Sequence, residues 1–242
     1  MIATVPANAK LTLTLRITGV RSDGYHLIDA EMVTLDLADQ LRIDPAGVGL
    51  SASGPFSDGM PVDATNLVAR ALRLCQRNAG IHVDKHIPHG GGLGGGSADA
   101  AAVLRWAGYT DLVGASRLGA DVPFCMVGGH ARVTGIGEII DPLAPIERDF
   151  TLIIAPLSCS TPAVYRAWDD LGGPVADGPN DLEPAALVVE PRLRRWRDRI
   201  HEAVGRAPTL AGSGATWFVV GHQRELVDAL PDARIVFTAS AR

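Results

Sequence analysis

The stretch Pro88-His-Gly-Gly-Gly-Leu-Gly-Gly-Gly-Ser-Ala-Asp-Ala-Ala101 decides how the rest of the chain is read. Gly90, Gly91 and Gly92 precede Leu93, and Gly94, Gly95 and Gly96 follow it. Residues without a Cβ adopt left-handed backbone and let a ligand approach the main chain. Ser97 stands where a helix would begin, and Ala98 to Leu104 are good material for one, so the spacing predicts a helix over 97–108. A glycine-rich turn opening onto a helix N-terminus offers free N–H groups and the positive end of a dipole, which together bind phosphate. Gly90, Gly92 and Gly95 also satisfy the dinucleotide pattern G-x-G-x-x-G. The acidic partner that pattern needs, here Asp111 or Asp121, follows no convincing second strand. A Walker loop needs Gly-Lys, a dipeptide absent from this chain. A flexible linker fits poorly, because Pro88 and Leu93 argue for one defined conformation.

The 242 residues are enough for one large domain or two small ones with a real core. A hydrophobic content of 47% with 20% charged residues reads as globular. The net charge of −5 does not favour a polyanionic partner such as nucleic acid. No segment approaches the ~20 apolar residues that span a bilayer, and no secretory leader is visible. Cys75, Cys125 and Cys159 form neither a disulfide framework nor a zinc pattern, so a cytoplasmic setting is expected. Of 22 basic residues only Lys10 and Lys85 are lysines. Lysine is a compact point charge where arginine is a planar fork, so both lysines are site candidates.

Read in order, residues 2–5 suggest a short strand. Residues 10–17 alternate Leu11, Leu13, Leu15 and Ile17 with polar partners, a half-buried strand. Asp23-Gly24 marks a turn, and strands are expected over 30–38 and 41–44. Residues 66–79 read as a helix stopped by Gly80, and Ile81 to Ile87 as a strand leading into the glycine loop. A hairpin is expected over 130–141, and a buried strand over 150–155. Helices are expected at 161–171, 191–204 and 222–229, and strands at 216–220 and 234–238. Ala211-Gly-Ser-Gly-Ala-Thr216 is a second glycine-rich turn. The class is α+β, with mixed sheets each covered by helices.

Four motifs stand in one order. They are the Pro6-Ala-Asn-Ala-Lys10 strand, Pro88 to Ser97, Leu118-Gly-Ala-Asp-Val-Pro123 and Ala211-Gly-Ser-Gly-Ala215. Together these resemble the GHMP kinase superfamily. Asp23-Gly-Tyr-His26 narrows the resemblance to the branch acting on a cytidine-diphosphate-linked methylerythritol in non-mevalonate isoprenoid synthesis. The resemblance implies a two-domain GHMP kinase fold, with a ribosomal-protein-like N-terminal domain over 1–143 and a ferredoxin-like C-terminal domain over 144–242. ATP, with Mg²⁺, and the acceptor would meet between them. It implies Lys10 and Asp121 as the catalytic pair. It implies ATP contacts from Asn66, Lys85, Pro88, Gly90, Gly91, Gly92, Leu93, Gly94, Gly95, Gly96, Ser97 and Ala98. Tyr25, His26 and Tyr165 would hold the cytosine, and Asn180-Asp-Leu-Glu183 matches a motif between the domains. The family's usual Pro-Ala-Lys-x-Asn is two residues longer here, Thr12 replaces its asparagine, and Ala98 replaces a second loop serine. The segment before Gly119 is shorter than usual, which predicts a truncated helix.

The chemistry agrees with those residue types. Phosphoryl transfer needs in-line positioning and neutralisation of spreading charge. Asp121 suits acceptance of the hydroxyl proton, and Lys10 suits keeping Asp121 ionised. Asp121 could equally serve as a helix cap before Pro123. His82, Asp84 and His86 share a strand face and read as solvated rather than as a metal site. The arginines of 192–199 accompany Leu193, Trp196 and Ile200 at helical spacing, an ordinary amphipathic helix. The expected activity is an ATP-dependent small-molecule kinase with no nucleic acid or membrane partner. A kinase of homoserine, mevalonate or a sugar, or a silent nucleotide-binding homologue, is the alternative.

Overall fold

The alternating N-terminal segment forms β1, Ala3–Val20, in the computed structural model, which describes residues 1–241. It pairs antiparallel along its length with β2, His26–Asp44. Two strands were expected in each place, and one long strand stands in each. The register between them shifts between Asn8 and Lys10, Thr12 and Thr14, and Ile17 and Gly19. The first irregularity takes up the unusual length of the Pro6–Lys10 segment. Pro6 is tolerated because β1 is an edge strand, where one side of the backbone needs no ladder partner.

The other edge of β2 is shared. Its C-terminal part pairs with β4, Gly80–Asp84, which carries β3, Leu50–Ser53, parallel on its far side. Its N-terminal part pairs with β5, His130–Gly135, followed by β6, Ile139–Pro142. Four helices accompany this sheet: α1, Leu67–Leu74, α2, Gly95–Trp106, α3, Leu112–Ser116, and α4, Val122–Val127. Helix α2 begins two residues before the expected start, so Ser97 lies inside its first turn. Ala98 to Leu104 are buried without a break, and their small side chains let α2 lie close to β1, α1 and α4. Helix α1 ends earlier than expected, and α3 is a helix of five residues where truncation was expected.

A second antiparallel sheet has the order β10-β7-β9-β8. Its strands are β7, Asp149–Ile154, β8, Thr209–Leu210, β9, Trp217–Val220, and β10, Arg234–Ala239. Helices α5, Thr161–Asp170, α6, Glu183–Val189, α7, Arg192–Val204, and α8, Glu225–Ala229, belong to this half. On α7 Leu193, Trp196 and Ile200 are buried, as the amphipathic spacing predicts. Phe150 and Phe218 meet edge to face at 6.0 Å in the core of the half.

Three joints tie the halves. The chain end returns to β2, where Ala241 N donates to Thr34 O at 2.8 Å and Asp36 accepts from Ala239 N and the Thr238 hydroxyl. The Asn180-Asp181 segment bonds to β1 through Asp181 N to Leu15 O and Leu15 N to Pro179 O, each 2.9 Å. The third joint is the contact between the two glycine-rich turns. Among the described residues no helix is long and apolar enough to cross a membrane.

Candidate active site

The loop ahead of α2 is held from three directions. Gly90, Gly92 and Gly94 have φ of +63°, +75° and +69°, conformations that side chains disfavour. Leu93, fully buried, anchors the loop, and its carbonyl accepts from Lys10 N at 3.0 Å. Ala215 N and Thr216 N of the second glycine turn donate to Gly90 O and Gly91 O at 3.2 and 3.3 Å. A Cβ on Gly92 would overlap the Ala211 carbonyl, so the two turns need glycine to meet. Gly94 caps α2, and Ala98 N donates to its carbonyl at 2.8 Å. The N–H groups of the first turn, Gly95, Gly96 and Ser97, therefore point out of the helix end beside the loop.

Lys10 crosses under this loop. Its side chain is buried, and a Cβ on Gly94 would lie 2.8 Å from Lys10 Cγ. Its ammonium donates to Thr12 Oγ1 at 3.0 Å and sits 3.2 Å from Asp121 Oδ2. Thr12 thus provides a second anchor for the ammonium. Asp121 occupies the N-cap position of α4, yet its carboxylate makes no capping bond to that helix. The capping alternative for Asp121 does not hold. The carboxylate faces the lysine and is 29% exposed, open to a reactant.

Lys85 is placed differently. It is 1% exposed, with Asp99 Oδ2 at 2.8 Å and Asp39 Oδ2 in closer contact. Asp39 Oδ1 also accepts from His86 N and Ile87 N at 2.5 and 2.8 Å. This ammonium stands beneath Gly95, joining the end of β4 to α2 inside the protein. Burial pushes the Asp99 carboxyl up to about 7, against the pull of Lys85. The pair Asp39 and Asp99 went unread in the sequence, because only the fold brings residues so far apart in the chain onto one lysine. Asn66 caps α1 through Oδ1 to Val68 N at 2.8 Å and donates to Pro61 O at 2.6 Å. Leu67 beside it approaches Gly96.

A cleft of about 500 Å³ is lined up to Ala120, the residue before Asp121 in the chain. Tyr25, His26, Tyr165 and Arg166 line it, with Leu118, Gly119 and Ala120 at the end nearest Asp121. Tyr25 follows a turn in which Gly24 has φ +86°, and its ring is 58% exposed at the rim. Tyr165 is half-buried, and loss of water around its hydroxyl raises that group's pKa, with the charge of Asp121 adding to the shift. The ring packed on Tyr165 is His26, at 4.7 Å, and His26 Nε2 bonds to Asp169 Oδ1 at 2.8 Å. Tyr25, His26 and Tyr165 thus share one cleft, which ends at the residues before Asp121. His82 is engaged by Ser51 and Ser53, and His86 by Asp84.

A family model described as the GHMP kinases N terminal domain matches residues 64–129. A 4-diphosphocytidyl-2-C-methyl-D-erythritol kinase of Paracoccus denitrificans (strain Pd 1222) is 39% identical over 231 residues, covering 88% of this chain and 84% of that protein. One of Cereibacter sphaeroides (strain KD131 / KCTC 12085) is 38% identical over 256 residues, covering 94% and 92%. A crystal structure of 4-(cytidine 5'-diphospho)-2C-methyl-D-erythritol kinase superposes with a TM-score of 0.80 at 31% identity, covering 99% of this chain and all of that one. The Methanococcus jannaschii mevalonate kinase, 13% identical with a TM-score of 0.60, shares the fold. With its two sheets, its glycine loop and these relatives, the chain belongs to the GHMP kinases, in the family of the 4-diphosphocytidyl-2-C-methyl-D-erythritol kinases.

Proposed function

We propose that this chain transfers the γ-phosphoryl group of ATP to the 2-hydroxyl of 4-diphosphocytidyl-2-C-methyl-D-erythritol, with Lys10 and Asp121 as its catalytic pair. The observation that carries the assignment is Asp121 itself, 3.2 Å from a buried ammonium and close enough to Tyr165 of the aromatic cleft for its charge to act on that hydroxyl. Asp121 accepts the proton as the hydroxyl oxygen bonds to the γ-phosphorus, and the bond to the β-phosphate oxygen breaks to release ADP. Lys10 keeps Asp121 ionised and offsets charge on the transferring group. The loop from Pro88 to Ala98 wraps the phosphates, with the N–H groups of Gly95, Gly96 and Ser97 as donors, and Asn66 borders the nucleoside. Tyr25 and Tyr165 close on the cytosine. The two functional units divide at residues 143 and 144.

We assign Mg²⁺ to the ATP phosphates. Among the described residues no three His, Cys, Asp or Glu side chains form a cage. A kinase Mg²⁺ takes most ligands from phosphate and water, so the Ser97 hydroxyl beside the loop fits as the chain's own contribution. When bound, the ion supplies charge neutralisation across the phosphates.

A coupled ADP-release assay with purified protein tests the reading. ADP release with the cytidine-linked acceptor, and none with homoserine, mevalonate or sugars, is expected. Those acceptors have no base for Tyr25 and Tyr165 to stack on. Turnover of one of them in place of the cytidine compound overturns the assignment.

A further inference from the structure

We infer that Asp169 makes this kinase select cytosine over uracil, by fixing which nitrogen of His26 carries the proton. The inference rests on the reading that the cleft takes a cytidine-linked acceptor. The His26 ring packs on Tyr165 at 4.7 Å with the planes 43° apart, and meets Trp168 edge-on at 5.5 Å. Nε2 lies 2.8 Å from Asp169 Oδ1, and the side chain is only 10% exposed. The Trp168 Nε1–H is engaged by Pro174 O at 3.0 Å, so it does not compete for the imidazole.

An ionised carboxylate only accepts hydrogen bonds, so His26 Nε2 must carry the proton. In the neutral ring Nδ1 is then a lone-pair acceptor. Among the described residues no hydrogen bond uses Nδ1. His26 lines the cleft with the two tyrosines, and Nδ1 is its nitrogen left free for a ligand there. Cytosine carries an amino donor at C4, where uracil carries a carbonyl acceptor. Nδ1 accepts from the first and opposes the lone pairs of the second. With the proton on Nδ1 the preference would reverse. Asp169 stands one helical turn after Tyr165, so α5 presents the stacking ring and the carboxylate from the same face. Asp169 touches no substrate in this account and acts through His26, as a positioning residue.

The test combines spectra with kinetics at pH 8. Imidazole ¹⁵N spectra of the free enzyme, with His26 assigned by its loss in His26→Gln, report the tautomer without any substrate. The wild type should show Nε2–H, and Asp169→Ala a mixture of both forms. The kcat/KM ratio of the cytidine-linked acceptor to its uridine-linked analogue should fall at least ~10-fold in Asp169→Ala, since a site built on a hydrogen bond discriminates strongly. That fall should come through KM for the acceptor, with KM for ATP nearly unchanged. Asp169→Glu, which keeps a carboxylate, should retain more of the preference than Asp169→Ala. An Nδ1–H tautomer in the wild type overturns the proposal, as does an unchanged ratio in Asp169→Ala. A wild type that uses neither pyrimidine acceptor overturns the reading of the substrate, while the spectra still report the tautomer, so the two failures are told apart.

Discussion

Asp121 is a carboxylate at a helix start that leaves the helix uncapped and faces Lys10 instead. That arrangement argues for a reacting group, because a cap would satisfy a free N–H and a salt bridge alone would not need 29% exposure. Asp121→Asn should keep ATP affinity within a few-fold and lower kcat by ~10² or more, the size of a general-base contribution. Isothermal titration with an ATP analogue and steady-state rates check both halves, and near-native turnover would remove Asp121 from the reaction. Tyr25 invites a separate test. Its ring is 58% exposed, with the Arg21 guanidinium 5.9 Å from its centre, so truncation removes little packing from the free protein. Stacking on a base is worth ~1–3 kcal/mol, so Tyr25→Ala should raise KM for the cytidine acceptor by ~5- to 150-fold and leave KM for ATP alone. Equal weakening of both would mean a general defect. Lys10, Asp121 and Tyr25 were readable in the sequence because each lies in a short motif. Asp169 was not, since its meaning depends on a histidine in the other half of the chain.

The joint between β4 and α2 carries the glycine loop, and Lys85 is its pin. The ammonium is 1% exposed between Asp39 and Asp99, and Asp39 also receives the main-chain N–H groups of His86 and Ile87 just before Pro88. Removing one partner of a buried ion pair costs ~3–5 kcal/mol, because a charge is left uncompensated. For a chain of this size 1 kcal/mol shifts Tm by roughly 2–4 °C, so Lys85→Met should lower Tm by at least ~6 °C. Weakened ATP binding should accompany that loss. A variant with native Tm and lost ATP affinity would instead make Lys85 a direct ATP contact. The glycine loop, α2 and the strand before them were legible, because glycine runs, alanine runs and alternation are local signals. The unity of β1 and of β2 was not. Pro6 and the register shifts interrupt the alternation of β1, and Asp39, a charge at an apolar position, interrupts that of β2. Pairing along both strands outweighs those local interruptions. The short helices α4 and α6 also escaped, since six or seven residues carry too little periodicity to read.

At the scale of the molecule, the proposed activity depends on how the two halves are held around Lys10. The second glycine turn approaches that lysine closely, for a Cβ on Gly212 would lie 3.5 Å from its Nζ. Asn180 fixes the turn. It is 1% exposed, donates through Nδ2 to Leu210 O and Gly212 O at 2.9 and 2.7 Å, and accepts from Leu182 N at 2.9 Å. Its neighbour Asp181 ties the same segment to β1, through Arg16 Nη1 at 2.7 Å and Ile17 N at 3.0 Å. One dipeptide thus bonds the strand that carries Lys10 to the turn that borders it. The sequence showed the Asn180-Asp-Leu-Glu183 motif but not this linkage, since each partner lies far along the chain. Asn180→Ala would leave two buried carbonyls and one N–H unpaired, at ~1–3 kcal/mol for each unsatisfied group. With partial relaxation a net loss of ~2–4 kcal/mol is expected, which lowers Tm by roughly 4–16 °C. Below that Tm the folded variant should lose kcat more than acceptor affinity, because Gly212 borders Lys10 and not the aromatic cleft. Differential scanning calorimetry and steady-state kinetics at 20 °C separate the two effects. A drop in Tm with native kcat would make Asn180 a structural tie alone, and a native Tm would show that the turn holds its place without it.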